Sequence, residues 1–249
     1  MADRQLRTLE ALGFHWDGPV RVQSAHRDAY EAALERLRAM ERTYACSCSR
    51  AEIANLQPRS GTTDEEELHY PGTCRRGMLH PERPVALRFL VPEGEVCFED
   101  RWQGPIRAIV SDTSGDFIVR RRDGIIAYQL AVVVDDALQG ITDVVRGCDL
   151  LASTAKQILL QDALALPRPE YAHVPLVVAA DGQKLAKSRH AIGVEVRDPP
   201  AVMVGVLALL HQQPPRELAH ASLTEVWAWA EAHWNPNPLA GLRALRAPE

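Results

Sequence analysis

The chain of 249 residues has no uninterrupted apolar run of about 18 residues, the length that a membrane-spanning helix needs. Its first residues, Met1 to Arg4, are not the basic region and apolar run of a secretion signal. A net positive charge is also lacking: the formal net charge of -5 argues against a generally basic nucleic-acid binder. The composition, 46% hydrophobic and 24% charged, is that of a globular protein. We therefore expect a cytoplasmic protein without a membrane partner.

Lysine is scarce, because nearly all basic residues are arginine. Lysine occurs only at positions 156, 184 and 187, so two of the three lie in one glycine-containing loop. Lys184 and Lys187 place two ammonium groups where they could stabilise the charge on a triphosphate as pyrophosphate leaves. A pair of lysines three residues apart is also common on a solvated loop. From the pair alone, both interpretations remain open.

Cysteine is present in an odd number, five, and three of the five fall between positions 46 and 74. Without a secretion signal, this clustering favours a metal over disulfides. Cys46, Cys48 and Cys74 could supply three thiolates to a tetrahedral zinc ion. The fourth ligand has candidates by position in His69, Tyr70 and His80, and generic chemistry favours a histidine; reduced, partly buried cysteines are the alternative. The remaining two, Cys97 and Cys148, lie in apolar segments and are expected in the core.

Periodicity predicts a mixed α/β chain. Helices are expected at both ends of the chain, and strands in its middle. The predicted helices are 3–12, 26–40, 199–211 and 222–233, and the predicted strands are 20–22, 85–91, 106–110, 116–121 and 141–147. The strand ending at Gly147 is followed by a helix whose entry carries a Thr154/Gln157 capping-box pattern. Polar residues at the carboxyl end of a strand that precedes a helix are typical of ligand sites in α/β sheets.

Three motifs in register resemble a known family. They are Val144-Val145-Arg146-Gly147, the upstream stretch from Tyr128 to Asp136, and the loop Lys184-Leu185-Ala186-Lys187-Ser188, which is similar to a Lys-Met-Ser-Lys-Ser signature. Together they resemble the catalytic domain of class I glutamyl-tRNA-synthetase-like enzymes. Cys46, Cys48, Tyr70 and Cys74 resemble the zinc site of one subfamily, the glutamyl-Q tRNA(Asp) synthetases. The resemblance runs from about residue 2 to about 235.

The resemblance implies a Rossmann-like α/β catalytic domain with a small zinc-binding insertion and a helical C-terminal segment. The implied division is 1–40 for the remainder of the N-terminal Rossmann half, 41–125 for the zinc-binding insertion, 126–198 for the second half with the lysine loop, and 199–249 for the helical segment. The family's first strands and its His-x-Gly-His-like ATP loop have no counterpart here. We therefore expect an N-terminally truncated catalytic domain.

The family also implies site residues and a reaction. Tyr128 and Arg146 would hold L-glutamate, with Arg146 in a bidentate contact with a carboxylate; Lys187, with Lys184, would contact ATP and its Mg²⁺; Tyr70 would replace the expected histidine as the fourth Zn²⁺ ligand. ATP would activate glutamate, and a queuosine hydroxyl of tRNA(Asp) would accept it. A monomer is expected. The alternatives are a fragment of a conventional glutamyl-tRNA synthetase and a catalytically inactive, zinc-containing RNA-binding remnant.

Overall fold

A computed structural model describes residues 2–56, 68–179 and 196–246. Within these ranges no helix is long and apolar enough to cross a membrane. The α-helices are α1 (Ala2–Ala11), α2 (Arg27–Ala39), α3 (Arg50–Asn55), α4 (Val110–Thr113), α5 (Tyr128–Leu138), α6 (Leu151–Ala163), α7 (Pro199–Leu209) and α8 (Leu223–His233). The strands are β1 (Thr43–Cys46), β2 (Ala86–Phe89), β3 (Val96–Asp100), β4 (Gly104–Ala108), β5 (Ile118–Arg120), β6 (Asp143–Gly147), β7 (Glu170–Val174), β8 (Leu176–Val178) and β9 (Ala244–Arg246).

The strands form three small sheets. An antiparallel sheet has the order β1-β2-β5, and a mixed sheet has the order β4-β3-β7-β6, in which β3, β7 and β6 run parallel. In that second sheet Arg146 of β6 is the register partner of His173 of β7. Strands β8 and β9 pair in parallel. Because β6 and β7 are parallel, their carboxyl ends meet at one edge of the sheet, where Arg146 and His173 lie.

Apolar side chains from helices and strands of both larger sheets form one main core. Helix α2 contributes Tyr30, Leu34 and Leu37, spaced so that they share one helix face. The buried members of the main core are Tyr30, Ala33, Leu34, Leu37, Phe89, Val91, Val96, Val110, Phe117, Val119, Leu130, Ala131, Val133, Val134, Ala155, Ile158, Leu160, Leu164 and Tyr171. This core fixes α5 and α6 against the sheet that carries Arg146.

A second apolar cluster joins the two ends of the chain. Leu12, which follows α1, packs with Met203 and Leu207 of α7 and with Val226 of α8. The indole Nε1 of Trp227 donates a hydrogen bond of 2.9 Å to the carbonyl oxygen of Leu12. The helices predicted at both ends therefore pack on each other.

Most predicted elements are present, within a few residues at their ends, but three expectations were wrong. Residues 20–22 form no strand; a short 3-10 helix begins directly after them, at Gln23. Thr154 lies inside α6 rather than at its N-cap, which is Leu150, and its hydroxyl accepts a hydrogen bond from Arg146 instead of capping the helix. Cys97 is exposed on β3, where outward and inward side chains alternate, and Cys148 is only half-buried.

Candidate active site and candidate metal centre

Arg146 lies near the carboxyl end of β6 and is held by three neighbours. Its Nε donates to Nε2 of His173 at 3.1 Å. Its Nη2 donates to Oγ1 of Thr154 and to Oε1 of Gln157, each at 2.8 Å. Helix α6 therefore supplies two of the acceptors and strand β7 the third.

Behind Arg146 is a buried pair formed by His173 and Asp100. Nδ1 of His173 and Oδ2 of Asp100 are 2.5 Å apart, and both side chains are inaccessible to solvent. Burial is the largest influence on the Asp100 carboxyl, but hydrogen bonds from His173, Gln103 and Trp102 outweigh it and lower the pKa. Burial also lowers the pKa of His173, against the opposing effect of Asp100. Asp100 is thus a carboxylate beside a neutral imidazole.

Tyr128 is the first residue of α5, and its side chain is 48% exposed. The next residue, Gln129, accepts a hydrogen bond of 3.0 Å from Nε2 of Gln157 and donates one of 3.0 Å to Ser153. Because Gln157 also accepts from Arg146, a short chain of hydrogen bonds joins the start of α5 to the guanidinium. The structure therefore links the helix end that carries Tyr128 to Arg146 through the side chains of Gln129 and Gln157.

Cys46, Cys48 and Cys74 are buried together, with their sulfur atoms all within 4.8 Å of one another. The Tyr70 hydroxyl lies 3.3 Å from Sγ of Cys46 and 3.7 Å from Sγ of Cys48. We call these four residues the cysteine cluster. Tetrahedral zinc with bonds of about 2.3 Å to sulfur needs sulfur atoms roughly 3.8 Å apart, and Cys48 and Cys74 are 3.5 Å apart. Donor set and spacing therefore fit a zinc ion.

Two of these thiols differ in acidity. Burial raises the pKa of Cys48 to about 11. Burial also acts to raise the pKa of Cys74, but backbone N–H donors of Leu79 and Ser47 outweigh it and bring the value down to about 6. Cys74 is therefore more ready than Cys48 to lose its proton and bind a metal cation.

The two histidines that generic chemistry favoured as the fourth ligand have other partners. His69 Nε2 lies 2.9 Å from the carbonyl oxygen of Ser111, and His80 Nε2 lies 3.1 Å from a carboxylate oxygen of Glu52. Neither belongs to the group of potential ligands found among the described residues. Tyr70, by contrast, has its hydroxyl against the thiols, where the resemblance implies it.

Arginine side chains support the cysteine cluster from the surrounding strands. The guanidinium of Arg88 lies over the Tyr70 ring, 3.6 Å from its centroid. Arg122 donates to the carbonyl oxygens of Ser47 and Cys48, and so fixes the backbone between Cys46 and Cys48. Its neighbour Arg121 pairs with Asp123 at 2.7 Å. Both Arg121 and Arg122 therefore make contacts within the protein.

A cleft of about 730 Å³ separates the cysteine cluster from the start of α5. Its lining includes Cys46, Cys48, Arg50, Tyr128 and Gln129. The candidate metal centre and the candidate substrate residue Tyr128 therefore face the same cavity. The lysine loop, Lys184-Leu185-Ala186-Lys187-Ser188, lies outside the described residues, so its predicted ATP contact remains a prediction.

Asp100 and His173, which lie behind Arg146 near the carboxyl ends of β3 and β7, are not among the residues that the sequence singles out for the site. His173 stands in the stretch Tyr171 to Pro175, at the end of a strand that precedes the lysine loop, and that position was an available signal. Asp100 gave no signal, because its partner lies 73 positions away in the sequence. Only the pairing of β3 with β7 brings the two together.

The family model for the catalytic domain of class I tRNA synthetases (E and Q) matches residues 1–226. The chain therefore belongs to the class I tRNA synthetase family, a family of ATP-using ligases, and its curated relatives define its place within it. It is 46% identical over 246 residues to a "Glutamyl-Q tRNA(Asp) synthetase" of Geobacter sulfurreducens, covering 96% of this chain and 77% of the relative. To the protein of that name from Dechloromonas aromatica it is 47% identical, covering 94% of this chain and 77% of the relative.

Solved structures agree on the fold. A glutamate-tRNA synthetase of Elizabethkingia anophelis superposes with a TM-score of 0.73 at 21% identity, covering 99% of this chain and 58% of that one. A glutamate tRNA ligase of Elizabethkingia meningosepticum gives 0.72 at 22% identity, with 98% and 56% covered. The chain thus spans less than two thirds of either structure. The predicted α/β class I catalytic fold is confirmed.

Proposed function

We propose that the protein activates L-glutamate with ATP and transfers the glutamyl group to the queuosine base of tRNA(Asp). The observation that carries the proposal is the identity of 46% over 96% of the chain with a relative whose name states that base and that tRNA. The fixed guanidinium of Arg146, joined through Gln157 to the helix end that bears Tyr128, supports it by supplying a cation suited to a carboxylate.

In the first step, a carboxylate oxygen of glutamate attacks the α-phosphorus of ATP, and pyrophosphate leaves. Arg146 and Tyr128 bind the glutamate, and Arg146 pairs with the carboxylate that does not react. Lys187 and Lys184 stabilise the phosphates of ATP, which binds with Mg²⁺. A hydroxyl of queuosine then attacks the glutamyl carbonyl, AMP leaves, and the hydroxyl proton passes to AMP or water. Positioning and electrostatic stabilisation carry the catalysis, since no protein nucleophile is needed.

Cys46, Cys48, Tyr70 and Cys74 would hold a zinc ion, which would order the segment around them. Arg122 and Arg88 keep the carbonyls and the aromatic ring of that segment in place. Because the cleft runs from this segment to Tyr128, an ordered cysteine cluster would shape one wall of the substrate cavity.

A charging assay tests the proposal. The full chain is incubated with ATP, Mg²⁺ and labelled glutamate, and with tRNA(Asp) that carries or lacks queuosine. We expect label only on the queuosine-containing tRNA, whereas equal labelling of both forms would indicate a conventional synthetase and overturn the proposal. Arg146→Lys keeps the charge but loses the planar fork, so it should lower labelling, while Arg168→Lys, an exposed arginine paired with Asp162, should not.

A further inference from the structure

The buried Asp100–His173 pair contacts Arg146, the residue to which we assign substrate binding. Asp100 ends β3, and His173 lies in β7 beside Arg146 of β6, so the three side chains come from three neighbouring strands. Asp100 and His173 are 1% and 0% exposed. Burying a carboxylate and an imidazole costs folding free energy unless both groups are fully hydrogen-bonded. The hydrogen-bond partners of this pair must therefore explain how it stays buried.

Asp100 has enough donors to stay charged. Its Oδ1 accepts the backbone N–H groups of Gln103 at 2.9 Å, Trp102 at 3.1 Å and His173 at 3.2 Å, and its Oδ2 faces Nδ1 of His173 at 2.5 Å. A carboxylate can only accept, so Nδ1 of His173 carries the proton. Nε2 of the neutral ring is then an acceptor, which suits the N–H of Arg146 Nε at 3.1 Å. The Thr154 hydroxyl also faces Nε2, at 3.2 Å.

These contacts use up most of the donors of Arg146. A guanidinium has five N–H groups. One, on Nε, goes to His173, and the two on Nη2 go to Thr154 and Gln157. Among the described residues, no hydrogen bond engages Nη1. The two Nη1 hydrogens are therefore the ones that the described residues leave for a ligand.

We propose that Asp100 and His173 are positioning residues: they fix the guanidinium of Arg146 so that it meets the substrate carboxylate through Nη1 alone. This inference rests on the proposed function, in which Arg146 binds glutamate. A long arginine side chain loses rotamer freedom when it binds a ligand, and a side chain that is already held loses less. The contact through one nitrogen replaces the two-nitrogen, bidentate contact that the resemblance implies, since the latter would displace Thr154, Gln157 or His173.

Two substitutions of His173 separate its two contacts. In His173→Asn the amide nitrogen can still donate to Asp100 from near the Nδ1 position, but no acceptor reaches Arg146. In His173→Gln the longer side chain can place its amide oxygen near the Nε2 position and accept from Arg146, while the donor to Asp100 is lost. Both variants are small polar changes at one buried position, so each serves as the matched control for the other.

The first readout is glutamate-dependent exchange of pyrophosphate into ATP by the full chain. We expect His173→Asn to raise KM for glutamate by roughly tenfold, the effect of losing one hydrogen bond to a charged group, with KM for ATP unchanged. His173→Gln should stay within about threefold of wild type in KM for glutamate, although it leaves Asp100 short of a donor. Thermal denaturation of both variants shows whether either effect merely follows lost stability. Equal rises in the two variants, or a parallel rise in KM for ATP, would overturn the inference.

The second readout does not need activity. In a ¹H–¹⁵N spectrum, the Nε–H of a held arginine gives a slowly exchanging signal, which Arg146→Lys identifies by its loss. We expect the signal in wild type and in His173→Gln, and its loss in His173→Asn; persistence in His173→Asn would refute the positioning role. If wild type showed no glutamate-dependent exchange, the proposed function would fail, whereas the Nε–H signal would still decide whether His173 fixes Arg146.

Discussion

The cysteine cluster and the main core are both buried, but different groups hold them together. The main core packs aliphatic and aromatic side chains from helices and strands. Among the described residues, the buried apolar cluster here consists of the three cysteines, Tyr70 and one aliphatic side chain, Ile53. Burial of so little apolar surface cannot order a segment. One region is therefore stabilised by packing, whereas the other depends on polar contacts and, we infer, on zinc.

Removal of the metal should disorder the region around the cysteine cluster and leave the main core folded, which is the largest effect that we expect. We expect about one zinc per chain and, after treatment with a chelator, roughly a hundredfold or greater loss of amide exchange protection near Cys46 and Cys74, because structural zinc supplies local folding free energy. Amides of α5 and α6 should keep their protection. Metal analysis and hydrogen exchange measured by mass spectrometry provide the check.

Two cysteine variants control for a general effect of losing a thiol. Cys74→Ser should abolish zinc binding, while Cys97→Ser should not, since Cys97 is exposed and lies outside the cysteine cluster. Full zinc occupancy in Cys74→Ser would contradict the assignment. So would unchanged protection around the cysteine cluster after complete metal removal.

Truncation of a side chain in the main core should lower the free energy of unfolding. Leu130 of α5 is fully buried in the main core, so Leu130→Ala should lower the free energy of unfolding by about 3 kcal/mol, through lost burial and a cavity. Leu138 of the same helix is 52% exposed, and Leu138→Ala should cost less than about 1 kcal/mol. Denaturant titration gives both values; equal losses would show that α5 is not anchored by the main core.

The parts of the fold that depend on residues close together in the sequence could be predicted, whereas those that depend on contacts between distant residues could not. Apolar residues recur at a regular local spacing in helices α2 and α8 and in strands β2 and β6. The sequence therefore predicts these four elements well. Residues 20–22 alternate like a strand but have no partner strand in the structure, because pairing is decided by the rest of the sheet. Cys97 reads as a core residue in an apolar segment, yet only the packing of β3 decides which of its faces is covered.

The residues of the candidate site also differ in whether local sequence or long-range contacts reveal them. Spacing alone indicates a metal at Cys46, Cys48 and Cys74, but it favours a histidine over Tyr70, which only the resemblance implies. Arg146 and Tyr128 also come from that resemblance. Asp100 could not be found in either way, since it becomes part of the site through the parallel pairing of β3 with β7. Long-range contacts of this kind are what a pattern in one sequence does not contain.

The buried imidazole of His173 should make the free energy of unfolding depend on pH, which is the smallest effect that we expect. Burial lowers the pKa of His173 in the folded protein, whereas a histidine in an unfolded chain has a pKa of about 6.5. Below that pH the unfolded chain binds a proton that the folded protein does not, so His173 favours unfolding as the pH falls. The expected loss is at most about 1.4 kcal/mol per pH unit, the value for one proton.

His173→Asn isolates this contribution, because it removes the titrating group and keeps a donor for Asp100. We expect the free energy of unfolding of wild type to fall more steeply than that of the variant between about pH 6.5 and pH 5, and the two curves to run parallel above about pH 7.5. Urea titrations at each pH measure both. Parallel curves throughout would mean that folded His173 takes up a proton as readily as the unfolded chain, and an imidazolium could not accept the Nε–H of Arg146.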